Sequence, residues 1–209
     1  MRAEDLKVAA VLLAAGLSRR MGERNKLLIE IGGEPLVRRT ARVYLAAGAD
    51  VHAVLGHDAG QVRAALEGLP VSFVTNAQYE EGQQSSVRAG IDSLRGGYDA
   101  ILVALADQAA LIPADIASLI DAFVRSGGNR IVVPYFRENR GNPVLFPASL
   151  IAEMRAAGHN AACRKFIDNN PQLTERFEAA HNRFILDIDT PEDLASFENG
   201  SQPGPPLKH

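Results

Sequence analysis

Apolar residues in this chain fall into short blocks separated by amphipathic stretches. Val8 to Leu13 is a continuous apolar run, the mark of a strand covered on both faces. Val51 to Leu55, Val71 to Thr75, Ala100 to Leu105 and Ile131 to Val133 read as further strands. Helical stretches lie between them, and glycine closes most of them. Pro35 to about Ala47 stops at Gly48, and Asp58 to Glu67 stops at Gly68 and Pro70. Ser86 to Leu94 stops at Gly96-Gly97, and Ala114 to Ser126 at Gly127-Gly128. Glycine is the residue that ends helices most cheaply. Strands spaced by single helices predict an α/β fold, Rossmann-like, with a doubly wound and mostly parallel sheet.

After Pro134 the rhythm breaks. Gly141 to Phe146 predicts a loop into a short strand, antiparallel to the others. Pro147 to Ala157 and Ala161 to Asp168 read as helices, and Phe184 to Asp187 as a last strand. Thr190-Pro191-Glu192-Asp193 then opens a helix: threonine caps, proline fits the first turn, and the acids suit the positive end. Residues 1 to 198 show neither repeat nor linker, which predicts one domain. Residues 199 to 209 are rich in Gly and Pro and predict a flexible tail.

Composition narrows the function. At 209 residues, 46% hydrophobic and 22% charged, the chain is globular in type. Its net charge of −3 provides no global field for nucleic acid, so any anion binding must be local. No apolar run approaches the ~20 residues that span a bilayer, and no membrane partner is expected. Glu4 and Asp5 in the first seven residues do not fit a signal peptide, so a cytoplasmic location is the expectation. Cys163 is the single cysteine. It reads as a small buried residue and excludes both an intramolecular disulfide and a cysteine zinc cluster.

In open α/β sheets ligands sit beyond the carboxyl ends of the strands. The loop after the first strand, Leu13 to Lys26, holds small residues and then cations. Ala14, Ala15 and Gly16 let backbone approach a ligand, and Arg20 and Lys26 can neutralise phosphates. Neither Gly-x-x-x-x-Gly-Lys-Ser/Thr nor Gly-x-Gly-x-x-Gly occurs there, and no Gly-x-Ser-x-Gly elbow suggests a hydrolase. The segment Glu81 to Ser86 sits at a helix start, where amides and hydroxyls can read a base edge or a ribose, or where serine can simply cap. Asp107 follows an apolar strand and suits either Mg²⁺ or a turn. Asp187 and Asp189 are two apart on an extended segment and share a face. Asn142 reads as an acceptor contact or as a turn residue. His52, His57, His181 and His209 show no convincing partner arrangement.

Leu13, Ala14, Ala15, Gly16, Ser18, Arg20, Met21, Gly22 and Lys26 together resemble the signature of the MobA/MocA-like nucleotidyltransferases of molybdenum cofactor synthesis. The resemblance spans about residues 8 to 198 and implies the nucleotide-diphospho-sugar transferase type of fold. It implies transfer of a nucleoside monophosphate from an NTP to a phosphorylated acceptor, with pyrophosphate released. Arg20, Lys26 and Asp107 take the catalytic places. Leu13, Ala14, Ala15, Gly16, Ser18, Gly22, Lys26, Gly82, Ser85 and Ser86 take the nucleotide-binding ones. Asp107 and Asp189 would hold Mg²⁺, and Asn142 and Pro143 would face the acceptor. Leu-Ala-Ala-Gly at 13–16, where the guanylyl branch has Leu-Ala-Gly-Gly, implies CTP, with molybdopterin as acceptor and a molybdoenzyme as a further partner. Two departures stand out: Asp107-Gln108-Ala109 where the family has Asp-Gln-Pro, and Gly158 to Cys163 where molybdopterin users have Gly-Asp-x-Gly-Ala-Arg. The second keeps sugar- or polyol-phosphate nucleotidyltransferases open. A cofactor chaperone or an NAD(P)H-dependent reductase on the same fold is the reading from another class.

Overall fold

In the computed structural model, which describes residues 2–21, 25–156 and 163–199, the first apolar block becomes β1 (Val8–Ala14), buried at all seven positions. It is followed by a small ribbon of β2 (Glu30–Ile31) and β3 (Glu34–Pro35), joined by Gly32 and Gly33. Both glycines have positive φ, +64° and +85°, as a two-residue type I′ turn demands. Alternation then continues through α1 (Leu36–Ala46), β4 (Asp50–Leu55), α2 (Ala59–Ala65), β5 (Val71–Thr75), α3 (Gln83–Ser93), β6 (Ala100–Leu105), α4 (Pro113–Arg125) and β7 (Ile131–Phe136). The later part comprises β8 (Asn139–Arg140), β9 (Val144–Pro147), α5 (Ile151–Ala156), α6 (Cys163–Asn169), β10 (Thr174–Glu178) and α7 (Pro191–Glu198).

Seven strands of the main sheet lie in the order β10-β7-β9-β6-β1-β4-β5, with β8 paired to β7. β1 pairs in parallel with β4 on one side and β6 on the other. The chain therefore winds outward from β1 through β4 and β5 and then crosses back to β6. That reversal is the topological switch point where α/β sheets leave a crevice. β9 is antiparallel to both β6 and β7, as expected from the break after Pro134. Alternate residues of β1 serve opposite faces. Ala10, Leu12 and Ala14 join a core with Val37, Tyr44, Ile116 and Phe123 from α1 and α4. Ala9, Val11 and Leu13 join a second core with Val87 and Ile91 from α3 and Met154 and Phe166 from α5 and α6.

Close approach of α3 to β1 depends on Gly90. A Cβ there would lie 2.2 Å from Cγ1 of Val11, in the middle of the second core. We expect Gly90→Val to cost about 3 kcal/mol in urea unfolding, because overpacking a full core outweighs the gain in helix propensity.

Two sequence expectations are corrected. Phe184 to Asp187 is not a strand: Asn182–Ile185 is a 3-10 turn whose Phe184 and Ile185 are buried anchors. The last strand of the sheet is instead β10, paired in parallel to β7. Its Thr-Glu-Arg-Phe-Glu sequence lacks the apolar signal because it is an edge strand. In addition, α3 starts at Gln83 rather than Ser86. The expected tail from residue 200, and the helical start at Ala161, lie outside the described residues. Among the described residues no helix is long and apolar enough to cross a membrane.

Candidate functional site

Register brings the strand exits to one level. Leu13 of β1 stands beside Val54 of β4 and Leu105 of β6. The loops that follow line a cleft of about 520 Å³, with Leu13, Ala15, Gly16, Ser18, Arg20 and Lys26 along one wall. Tyr79 and Gly82 come from the turn before α3, Gln83 and Ser86 from its first turn, and Asp107, Asp187 and Asp189 close the cleft. Tight packing holds the first wall: a Cβ on Gly56 would lie 2.5 Å from Cβ of Tyr79 and 2.8 Å from Cβ of Ala15.

The first loop is braced from within. Ser18 has φ of +49°, and its hydroxyl accepts from the Lys26 amide at 3.2 Å. Asn25 is buried; its Oδ1 accepts from the Leu27 amide at 3.0 Å, and its Nδ2 donates to Asp58 at 3.2 Å. These bonds aim Lys26 inward. Sequence reading passed over Asn25 and Asp58, since a bracket 33 residues long leaves no local pattern.

Lys26 is the centre of the charge arrangement. Its ammonium donates to Asp107 Oδ2 and, at 2.7 Å, to Asp189 Oδ1. Arg20 Nη2 lies 2.8 Å from the other oxygen of Asp189. Burial opposes the Lys26 charge, but Asp107 and Asp189 outweigh it and hold its pKa above the ordinary value. Asp187 stands beside the same charges, held by the Gln108 side chain rather than by a direct contact with the ammonium. Burial first, then repulsion from Asp107 and Asp189, pushes its carboxyl up to about 7. Oδ1 of Asp187 and Oδ1 of Asp107 are buried without a hydrogen-bond partner among the described residues. Below them Tyr44 is fully buried, and desolvation raises its phenol further.

The Asp107 loop is fixed without the proline. Thr40 Oγ1 lies 3.1 Å from the Ala106 carbonyl, and Arg39 Nε donates to the Ala109 carbonyl at 3.2 Å. Gln108 donates to the Phe184 carbonyl at 3.0 Å, and the Ile188 amide donates to the Asp107 carbonyl at 3.0 Å. The last bond stitches the Asp187–Asp189 segment to the exit of β6. Residues 82 apart, Asp107 and Asp189, thereby meet on one ammonium.

Other sequence candidates separate by position. Gly82, with φ of +103°, precedes α3, and Ser86 is buried on the cleft wall. Ser85 is turned to backbone: its hydroxyl donates to the Gln78 and Gly82 carbonyls at 2.7 and 2.8 Å. Ala14 is buried at the end of β1. Gly22, and the 158–162 part of the departing segment, lie outside the described residues. Asn142, preceding Pro143, lines a second cleft of about 500 Å³ with Arg140, Cys163 and Arg164. Both clefts share Gly82, Gln83, Leu105 and Asp187 in their walls, so they adjoin. Burial pushes the Cys163 thiol up to about 12, away from the thiolate form a nucleophile needs. His181, which looked partnerless, stands 3.1 Å from the buried Asp115.

Unpaired carboxylate oxygens at Asp107 and Asp187, beside a position already occupied by a cation, fit a hard divalent ion. Among the described residues no group of three or more His, Cys, Asp or Glu is set to hold a metal unaided.

Known proteins resemble this chain over most of its length. The MobA-like NTP transferase domain matches residues 10–176. Nicotine blue oxidoreductase of Paenarthrobacter nicotinovorans is 31% identical over 196 residues, 90% of this chain and 94% of that one. A probable molybdenum cofactor guanylyltransferase of Natronomonas pharaonis is 29% identical, over 88% of this chain and 93% of its own. Among solved structures, Rv0371C of Mycobacterium tuberculosis in complex with manganese superposes with a TM-score of 0.73. It covers 92% of this chain and 98% of its own at 23% identity, a likeness that shows the fold.

Proposed function

This chain belongs to the MobA-like NTP transferase family, and from that premise we propose that it moves CMP from CTP to a phosphorylated small molecule, molybdopterin being the favoured acceptor. One observation carries the transferase reading: Lys26, Arg20, Asp107 and Asp189, drawn from three separate loops, meet on a single cleft. The adjoining cleft, with Asn142, Arg140 and Arg164, offers cationic and amide donors for an acceptor phosphate.

In this reading the triphosphate lies along the first loop. Gly16 and Gly82 carry no side chain and allow close backbone approach, and Ser86 and Gln83 at the start of α3 face the nucleoside. Lys26 and Arg20 exchange their carboxylate partners for phosphate oxygens and stabilise charge on the leaving pyrophosphate. An acceptor phosphate oxygen attacks the α-phosphorus in line; the new P–O bond forms as the bond to the β-phosphate breaks. Mg²⁺, held by Asp107 and Asp189, would supply charge neutralisation for both phosphate chains. No covalent enzyme intermediate is required, so positioning and electrostatics carry the rate. CTP is favoured over GTP by resemblance: Leu-Ala-Ala-Gly stands at 13–16 where the guanylyl branch has Leu-Ala-Gly-Gly.

A second reading has its own support, since nicotine blue oxidoreductase resembles nearly the whole chain. A thermal-shift panel separates the two. With Mg²⁺ present, CTP should raise Tm most among CTP, GTP, ATP, UTP and NADPH, because a ligand that binds only the folded state stabilises it. At ~100 times Kd the gain is about 2.7 kcal/mol. Pyrophosphate release from CTP with a molybdopterin acceptor then tests the transfer. A shift with NADPH alone, and no pyrophosphate from any NTP, would replace the transferase reading by the reductase one.

A further inference from the structure

We propose that the Asp115–Arg183 ion pair is a positioning device for the carboxylates of the site, acting through the carbonyl of Phe184. The pair lines neither cleft. Asp115 belongs to the first turn of α4 and is 3% exposed. Arg183 grips it with two parallel bonds, Nε at 2.7 Å and Nη2 at 2.6 Å. His181 adds a contact to Asp115 at 3.1 Å and stacks on Phe184, with ring centroids 5.8 Å apart and 11° between planes. Asp115 is buried but Arg183 is 32% exposed, and such a pair adds little net stability, because desolvating the carboxylate and solvent screening offset the Coulomb gain. What a two-point guanidinium fork does supply is a fixed orientation.

That orientation is passed directly to the site. Phe184, next to Arg183, offers its carbonyl to the Gln108 side chain at 3.0 Å and to the Asn142 amide at 2.8 Å. Gly141 abuts the same carbonyl; a Cβ there would be 2.5 Å from the oxygen. Gln108 follows Asp107, Asn142 lines the second cleft, and Asp187 and Asp189 lie just downstream of Phe184. One carbonyl therefore sets the Asp107 loop, the acceptor-side loop and the Asp187–Asp189 segment relative to each other. Geometry of that kind must hold to within about 0.5 Å for catalysis. Sequence shows none of this, since the two charges are 68 residues apart.

The test uses Arg183→Gln, Arg183→Lys and the neutral pair Asp115→Asn with Arg183→Gln, which keeps the α4 cap. Three measurements are made: Tm, Mn²⁺ affinity by EPR with and without CTP, and steady-state kinetics (kcat and KM for CTP) from pyrophosphate release. This rests on the transferase reading only for the last. Arg183→Gln should lower Mn²⁺ affinity and kcat about 10- to 100-fold, the usual effect of losing a group that orients ligands. KM for CTP should stay within about threefold, since the first loop is untouched. Arg183→Lys should restore Tm more than rate. If Arg183→Gln fails to fold, the neutral pair decides. A folded neutral pair with wild-type Mn²⁺ affinity and wild-type kcat overturns the proposal and leaves a merely structural ion pair. If the wild type itself releases no pyrophosphate, the transferase reading fails, and the Mn²⁺ comparison alone still decides the positioning role.

Discussion

Asp107→Asn is expected to lower Mg²⁺-dependent pyrophosphate release on the order of 10²- to 10³-fold, as loss of one preorganised charge group does elsewhere. The fold should survive. Breaking a buried ion pair normally costs about 3–5 kcal/mol because it strands a charge. Here Lys26 retains Asp189 at 2.7 Å, so its ammonium stays paired. Asp187 also gains, because one of the carboxylates that repel it has gone. The amide keeps the size of the side chain, and the Asp107 carbonyl still receives the Ile188 amide. A circular dichroism spectrum and Tm near wild type, with kcat reduced, is the expected pair of results. Wild-type turnover in a folded Asp107→Asn protein would remove Asp107 from any metal or charge role.

How much of this was legible in the sequence depends on where each signal came from. β1 and β6 declare themselves because they lie mid-sheet, and burial on both faces demands unbroken apolar runs. β10 does not, because an edge strand with Glu175, Arg176 and Glu178 looks like loop. Phe184-Ile185-Leu186 gave a false strand for the converse reason: the apolar residues anchor a turn, not a ladder. In the site, Arg20 and Lys26 stood out as cations directly after a buried strand, and Asp107 and Asp189 as acids beyond apolar segments. The resemblance implied that Asp107 and Asp189 share one metal; their direct pairing on the Lys26 ammonium was not legible, since it depends on the Ile188–Asp107 stitch across the chain. Ser85 shows the limit of motif reading. Its place in the Glu81–Ser86 segment suggests a ligand contact, while its hydroxyl closes the turn before α3.

Lys26→Met should have two effects of opposite sign. Nucleotide binding should weaken and transfer slow, because the ammonium that pairs with phosphate oxygens is gone. Affinity of the nucleotide-free protein for Mg²⁺ or Mn²⁺ should rise. The reason lies in what Lys26 now touches. Its side chain is only 13% exposed and satisfies both Asp107 and Asp189, the same carboxylates assigned to the metal. A divalent ion entering without nucleotide must displace that ammonium and leave it buried near another cation. Nucleotide removes the conflict by offering phosphates to Lys26, so metal and CTP should bind wild type cooperatively. In the variant Met fills similar volume, and Asp107, Asp187 and Asp189 are left with Arg20 as the neighbouring cation, one that is 67% exposed and screened. Stability should fall by about 3 kcal/mol at neutral pH, the cost of stranding buried charge. Mg²⁺ alone should restore Tm in the variant and shift the wild type much less. Equal shifts in the two proteins would show that Lys26 does not compete for the position between the carboxylates. A larger shift in the wild type would show that Lys26 assists metal binding, and the order of assembly inferred from its contacts would then be reversed.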